Sequence, residues 1–141
     1  MGIIGLGVDI VEIARFDTAI QRHGQRFLDR LFLPAEQAYC SPQREPSRCY
    51  AARFAVKEAV AKALGTGIGA ELGWLDVEIR RKATGEPFVV LHGTGSTTAT
   101  RMGIGEIFVS LSHSEHYAVA NAIATGRARS ATEASASSVV N

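Results

Sequence analysis

The sequence predicts an α+β domain in which a mainly antiparallel sheet packs with one long central helix. Three observations carry that prediction. Residues 3–10 alternate with the period of a strand. Ser47 to Leu64 form an Ala-rich helical run stopped by Gly65. Two pairs of apolar segments, 74–80 with 87–92 and 106–111 with 117–124, are each joined by a turn of hairpin length.

In the first strand Ile4, Leu6, Val8 and Ile10 fall on the expected core face, with Ile3, Gly5, Gly7 and Asp9 opposite. From Val11 the period becomes helical, and Val11, Ala14, Phe16, Ala19 and Ile20 line one side through about His23. Gly24 interrupts, a second short helix covers Phe27 to Phe32, and Pro34-Ala35-Glu36 opens a third with Pro near its first position. Residues 41–47 are a polar, Pro-containing connector into the long helix, and Gly65-Thr66-Gly67-Ile68-Gly69 is a loop after it. The first hairpin turns at Ala83-Thr84-Gly85-Glu86, Ser96 to Met102 is a short helix, and Ser112 to His116 turns the second hairpin. From Gly126 to Asn141 the composition shifts to Ala and Ser with a few charges and no aromatic, so 1–125 is expected to be the domain and 126–141 a disordered tail.

With 46% hydrophobic and 21% charged residues, the chain of 141 residues reads as one soluble globular domain. Fifteen Lys and Arg against fourteen Asp and Glu leave a net charge of +1, too little for a protein that coats nucleic-acid phosphates, so any anion site must be a local cluster. Cys40 and Cys49 are too few for a disulfide scaffold and have no partners at zinc spacing, so they are expected as free thiols. No apolar run approaches the ~18 residues of a membrane span. Met1-Gly2-Ile3-Ile4-Gly5 lacks the basic start of a secretion signal, which makes a cytoplasmic location the expectation.

The long helix holds an informative conflict. Glu58 and Lys62 lie only about 40° apart on the helical wheel, within the small-residue side of Ala51, Phe54 and Ala55, while Arg53 and Lys57 fall on the side expected to face solvent. The plain alternative is an exposed i,i+4 pair worth ~0.2–0.5 kcal/mol. A charged pair within a packed face is costly unless something uses the charges, which favours a site. Asp9, at the end of a strand face otherwise made of Gly5 and Gly7, supplies a second carboxylate. Asp9 with Glu58, completed by water and substrate phosphate, suits Mg²⁺. Cations concentrate nearby: Arg44, Arg48, Arg53, Lys57 and Lys62 lie within nineteen residues, and Lys57 reads best as solvated. The glycine loop, with Gly65, Thr66 and Gly67, is a candidate source of backbone N–H groups for an anion, although it lacks the ending of a P-loop. His113, flanked by serines at a strand end, is a candidate phosphate donor.

Gly7-Val8-Asp9 followed by Arg15, with Phe54-Ala55-Val56-Lys57-Glu58-Ala59-Val60-Ala61-Lys62-Ala63, resembles the holo-[acyl-carrier-protein] synthase family of 4′-phosphopantetheinyl transferases. The likeness extends to the glycine loop, to Trp74-Leu75-Asp76-Val77-Glu78-Ile79 and to Ser112-His113, and spans about residues 3–124. The resemblance implies the 4′-phosphopantetheinyl transferase-like fold and transfer of 4′-phosphopantetheine from coenzyme A to a serine of apo acyl carrier protein, releasing adenosine 3′,5′-bisphosphate, for fatty acid or polyketide synthesis. It implies Mg²⁺ on Asp9 and Glu58, Lys62 at the pyrophosphate, and a homotrimer with active sites between subunits. Asp9, Glu58 and Lys62 are then the expected catalytic residues. The coenzyme A candidates are Arg44, Arg53, Gly65, Thr66, Gly67 and His113, with Arg44 suited to the outlying 3′-phosphate. Arg15, Arg22 and Arg26, at spacings of seven and four, would face the acidic carrier protein. The general base is either Glu58 itself or a water it orients. Two other readings stay open: a Mg²⁺-dependent nucleotide pyrophosphatase with water as acceptor, and a non-catalytic coenzyme A binding module.

Overall fold

A computed structural model describes residues 2–128. In chain order the elements are β1 (Ile3–Glu12), α1 (Ile13–Leu31), α2 (Pro34–Cys40), α3 (Pro46–Leu64), a 3-10 turn (Trp74–Asp76), β2 (Val77–Arg81), β3 (Pro87–Leu91), α4 (Gly93–Arg101), β4 (Ile104–His113) and β5 (Tyr117–Gly126). All strand pairs are antiparallel: β1-β5-β4 form one sheet and β2-β3 a separate hairpin. This is the α+β architecture expected. Pro46 starts α3 at a position where its missing N–H costs nothing, and Gly65 ends it in the left-handed conformation (φ 75°). Gly24 breaks α1 with φ 64°, so the two helices expected on either side of it form one kinked element. β5 runs through Gly126, and the Arg127 N–H donates to Gly103 O, so pairing passes the expected boundary at 125. The remainder of the expected tail lies outside the described residues.

α3 is the axis of the domain. It packs against β1, β5 and β4 on one side and against α1, α2 and β2 on others. Small residues make this possible: Ala55, Ala59 and Ala63 on α3 meet Ala120, Ala122 and Ala124 of β5, all buried. A second cluster gathers Phe16, Leu28, Leu31, Phe32 and Tyr50 where α1 and α2 close over the start of α3.

Three sequence expectations are corrected here. First, the faces of β1 are reversed. The glycine face lies against α3, whereas Leu6 (66% exposed), Val8 and Ile10 project from the outer face of the sheet together with Phe108. Alternation shows that one face is apolar, but not that this chain's own core covers it. Second, Arg53 (3% exposed) and Lys57 (0%) are buried, and the more open stripe of α3 carries Glu58 and Lys62. A helix covered from several directions has no single solvent side. Lys57 Nζ donates to Glu36 Oε1 at 2.8 Å and to Trp74 O at 3.0 Å, while Glu36 Oε2 accepts the Ile79 N–H at 3.0 Å. Third, Cys40 and Cys49 form a disulfide. The turn at 41–45 folds α3 back beside α2 and sets their Cα atoms 5.4 Å apart, within bridging range.

Candidate active site

Asp9 and Glu58 line one cavity of about 650 Å³, with Arg15 and Arg30 from α1 and the stacked rings of Phe54 and Trp74 in its wall. Lys62 Nζ lies 3.1 Å from Asp9 Oδ1 and also donates to Val8 O at 2.9 Å. Asp9, Glu58 and Lys62, widely separated in sequence, are thus brought to one place by β1 lying along α3. Burial first, and the Asp9 carboxylate second, push the Glu58 carboxyl above its usual range, and Lys62 opposes them. Glu58 therefore holds a proton more tightly than an exposed glutamate and senses Asp9 as a close negative charge.

A second, basic cavity of about 550 Å³ gathers Tyr39, Arg44, Arg48, Arg53, Arg81 and His113. The three side chains expected to meet coenzyme A phosphates, Arg44, Arg53 and His113, come together here from the 41–45 turn, α3 and the end of β4. Arg48 is paired with Glu45 at 2.8 Å. Tyr39 and Arg81 were not singled out from sequence. The sequence signal for Arg81 is the basic Arg80-Arg81-Lys82 run at a strand end, which periodicity alone does not aim anywhere, and Tyr39 carries none. The two cavities share no lining residue.

The glycine loop turns back onto the end of α3. The Gly65 N–H donates to Lys62 O and the Gly67 N–H to Ala61 O, so both are engaged in ending α3, and Thr66 Oγ1 donates to Gly67 O. Arg15 lies at the carboxylate cavity. Arg26 lines a neighbouring groove with His23, Phe27 and Arg30, and Arg22 is exposed beside neither. Because Gly24 breaks α1, Arg15, Arg22 and Arg26 do not lie on one continuous helical face as expected.

Among the described residues no group of three His, Cys, Asp or Glu side chains forms a ready-made metal cage. Two neighbouring carboxylates are nevertheless the donor set that suits Mg²⁺, which prefers one or two carboxylates and keeps waters and phosphate oxygens for its other positions. Asp9 and Glu58 fit that ion.

A carboxylate pair with a lysine thus stands apart from a cluster of cations. The description 4′-phosphopantetheinyl transferase superfamily belongs to the family model that matches residues 5–122. The holo-[acyl-carrier-protein] synthase of Moorella thermoacetica is 50% identical over 117 residues, 83% of this chain and 90% of the relative. That of Desulforudis audaxviator is 49% identical over 128 residues, 91% and 97% of the two chains. Among solved structures, the Neisseria meningitidis holo-[acyl-carrier-protein] synthase superposes with a TM-score of 0.83 at 32% identity, covering 87% of this chain and 98% of that one. The Helicobacter pylori synthase in complex with coenzyme A gives 0.77 at 33% identity, covering 85% and 99%. The chain belongs to the 4′-phosphopantetheinyl transferase superfamily, in its holo-[acyl-carrier-protein] synthase branch.

Proposed function

We propose that this enzyme moves the 4′-phosphopantetheine group of coenzyme A onto a serine of an apo acyl carrier protein. The serine oxygen forms a bond to the pantetheine-bearing phosphorus, the pyrophosphate P–O bond breaks, and adenosine 3′,5′-bisphosphate leaves. The observation that carries the reading is the convergence of Asp9 and Glu58 on one cavity, with Lys62 paired to Asp9, apart from a basic cavity that suits the rest of the ligand.

Phosphoryl transfer of this kind depends on positioning and charge neutralisation. Asp9 and Glu58 would hold Mg²⁺, which supplies charge neutralisation to the pyrophosphate when bound. Lys62, half exposed and pinned between Asp9 and the Val8 carbonyl, is placed to turn towards a leaving phosphate. Glu58, beside the proposed ion and the entering serine, would receive the serine proton directly or through a water it orients. Arg44, Arg53 and His113 would hold the nucleotide end, with Gly65, Thr66 and Gly67 near the pyrophosphate. Arg15, at the carboxylate cavity, with Arg22 and Arg26 further along α1, would receive an acidic carrier protein.

We also propose a homotrimer. Leu6, Val8, Ile10 and Phe108 form an apolar outer sheet face, which a second copy of the chain would cover. The same arrangement would bring the carboxylate cavity of one copy to the basic cavity of the next, giving the separated phosphate sites one ligand to share.

Mass spectrometry of an apo carrier incubated with enzyme, coenzyme A and Mg²⁺ tests the reading. A mass gain on the carrier serine with release of adenosine 3′,5′-bisphosphate is expected. Cleavage of coenzyme A without any carrier would instead mark a pyrophosphatase, and binding without cleavage a non-catalytic module.

A further inference from the structure

The disulfide between Cys40 and Cys49 joins the end of α2 to the first turn of α3. Its two sulfurs stand in different surroundings. Cys40 is fully buried in the cluster that holds Phe32, Tyr50 and Ala51. Cys49 is half-buried and lines the basic cavity, and its Sγ accepts an N–H from Arg53 Nη1 at 3.2 Å. Among the described residues Arg53 makes no salt bridge, and its Nε is buried without a hydrogen-bond partner. A buried guanidinium therefore rests against a sulfur that is neutral while the bridge is closed.

Opening the bridge would change the charge at that contact more than the fold. The same two helices are tied by Ser41 Oγ and Tyr50 OH, 2.6 Å apart, and by Lys57 of α3 on Glu36 of α2. α2 and α3 therefore stay together without the bridge. A free Cys49 would sit in the first turn of α3 beside Arg53, and a helix N-terminus and a neighbouring guanidinium both favour the thiolate. Cys40, in apolar surroundings, would stay a neutral thiol. The Cys49 thiolate would then neutralise Arg53, one of the cations that the coenzyme A reading gives to the nucleotide end.

We infer that Cys40 and Cys49 form a redox switch: with the bridge closed Arg53 is free for a phosphate of the ligand, and with it open the Cys49 thiolate competes for Arg53. The inference rests on the coenzyme A reading and adds a regulation to that site. The effector is a dithiol/disulfide couple. A thiolate of the dithiol attacks the accessible Cys49 Sγ, the Cys40–Cys49 bond breaks, and Cys40 leaves and takes up a proton. The second thiol of the reductant then displaces Cys49 as the thiolate and closes the reductant's own disulfide. Two electrons pass from the dithiol to the protein, and of the dithiol's two protons one ends on Cys40 and one in water.

Calorimetric titration of the full chain with adenosine 3′,5′-bisphosphate, which has no thiol of its own, tests this. The chain reduced with dithiothreitol should bind it about tenfold more weakly than the oxidised chain, the loss of one charge-assisted hydrogen bond. By linkage, saturating ligand should lower the reduction potential of the bridge by about 30 mV, the same tenfold factor for two electrons. Cys40→Ser, which leaves Cys49 as a free thiol, should bind like the reduced chain with or without dithiothreitol. Cys49→Ser removes the bridge and the thiolate together, so it should bind like the oxidised chain in both conditions. Equal affinity in the two redox states of the unaltered chain would overturn the switch. A Cys49→Ser variant as weak as Cys40→Ser would overturn the competition for Arg53. Two alkylatable thiols in the chain treated with oxidised dithiothreitol, counted by mass spectrometry, would overturn the bridge itself. Binding in neither redox state would overturn the coenzyme A reading together with this inference.

Discussion

A Cβ added at Gly7 would lie 1.9 Å from the carbonyl oxygen of Ala59, and one at Gly5 would lie 1.8 Å from that of Ala63. β1 and α3 are therefore in backbone contact, which only glycine permits. The contact sets the site: Asp9 follows Gly7 on the same strand face, Glu58 precedes Ala59, and Lys62 precedes Ala63. Gly7→Ala has a backbone atom in its way and no flexible side chain to displace. We expect a loss of about 3 kcal/mol or more in urea unfolding, accompanied by loss of transfer activity. Near-native values for both would mean that α3 can retreat without moving the carboxylates.

The proposed Mg²⁺ site predicts a pH dependence. The Glu58 carboxyl is held above the usual range by burial and then by Asp9, so a proton would compete with the ion. Mg²⁺ affinity measured by calorimetry should rise with pH through the Glu58 titration, and Glu58→Gln should both weaken binding and remove that dependence. An unchanged pH slope in Glu58→Gln would assign the competing proton elsewhere. For folding the sign is opposite. A carboxyl whose folded pKa is raised favours the folded state at low pH, and that contribution is lost as pH rises through the folded value.

The Lys57–Glu36 pair is an internal strut. Lys57→Met leaves Glu36 buried without its counter-ion, and a loss of about 3–5 kcal/mol is expected in chemical denaturation. In a double-mutant cycle with Glu36→Gln, the second substitution should cost less in the Lys57→Met background than alone. Strict additivity would show that the two groups do not act together.

Carrier docking is testable by charge. With the exposed Arg15 lining the carboxylate cavity, Arg15→Glu/Arg22→Glu should raise the carrier KM several-fold at low salt and leave coenzyme A affinity nearly unchanged. Added salt should narrow the difference, because exposed charges act mainly by steering. An unaltered carrier KM at low salt would remove α1 from the docking surface.

The outer sheet face gives an assembly test. Leu6 and Phe108 sit in facing rows, each paired through Ile123 of β5, so Leu6→Lys with Phe108→Glu places charges in the middle of that face. Sedimentation should then find monomers, whereas trimers are expected of the unaltered chain. Trimers in both would locate the contact elsewhere.

Local signals recovered much of the architecture. Pro46 and Gly65 bracket α3 chemically, and the hairpins follow from alternation around short turns, so these elements stand close to where the pattern puts them. Spacing and resemblance group Asp9, Glu58 and Lys62, and in the fold Lys62 pairs with Asp9 while Glu58 lines the same cavity as Asp9. What failed was the assignment of sides. The alternation in β1 reports an apolar face but not what covers it, and the apparently empty glycine face proved to be where a helix rests. Lys57 looked solvated because its partner, Glu36, lies on another helix. Arg81 and the Cys40–Cys49 bridge depend on how α2, α3 and the first hairpin turn towards one another, which no single segment encodes.

Among the described residues, β1 pairs with β5 and with no other strand, so residues 3–12 find their hydrogen-bonding neighbour there in residues 117–126. During synthesis the first strand must therefore wait for almost the entire chain before its edge is satisfied. Until then it presents unpaired backbone beside Leu6, Val8 and Ile10, a segment suited to sticking to other nascent chains. Such first-to-last pairing gives a high contact order and slow closure of the sheet. A stop codon anywhere before β5 would leave that strand permanently unpartnered, so loss of the last strand should show up as aggregation and not as a smaller soluble enzyme.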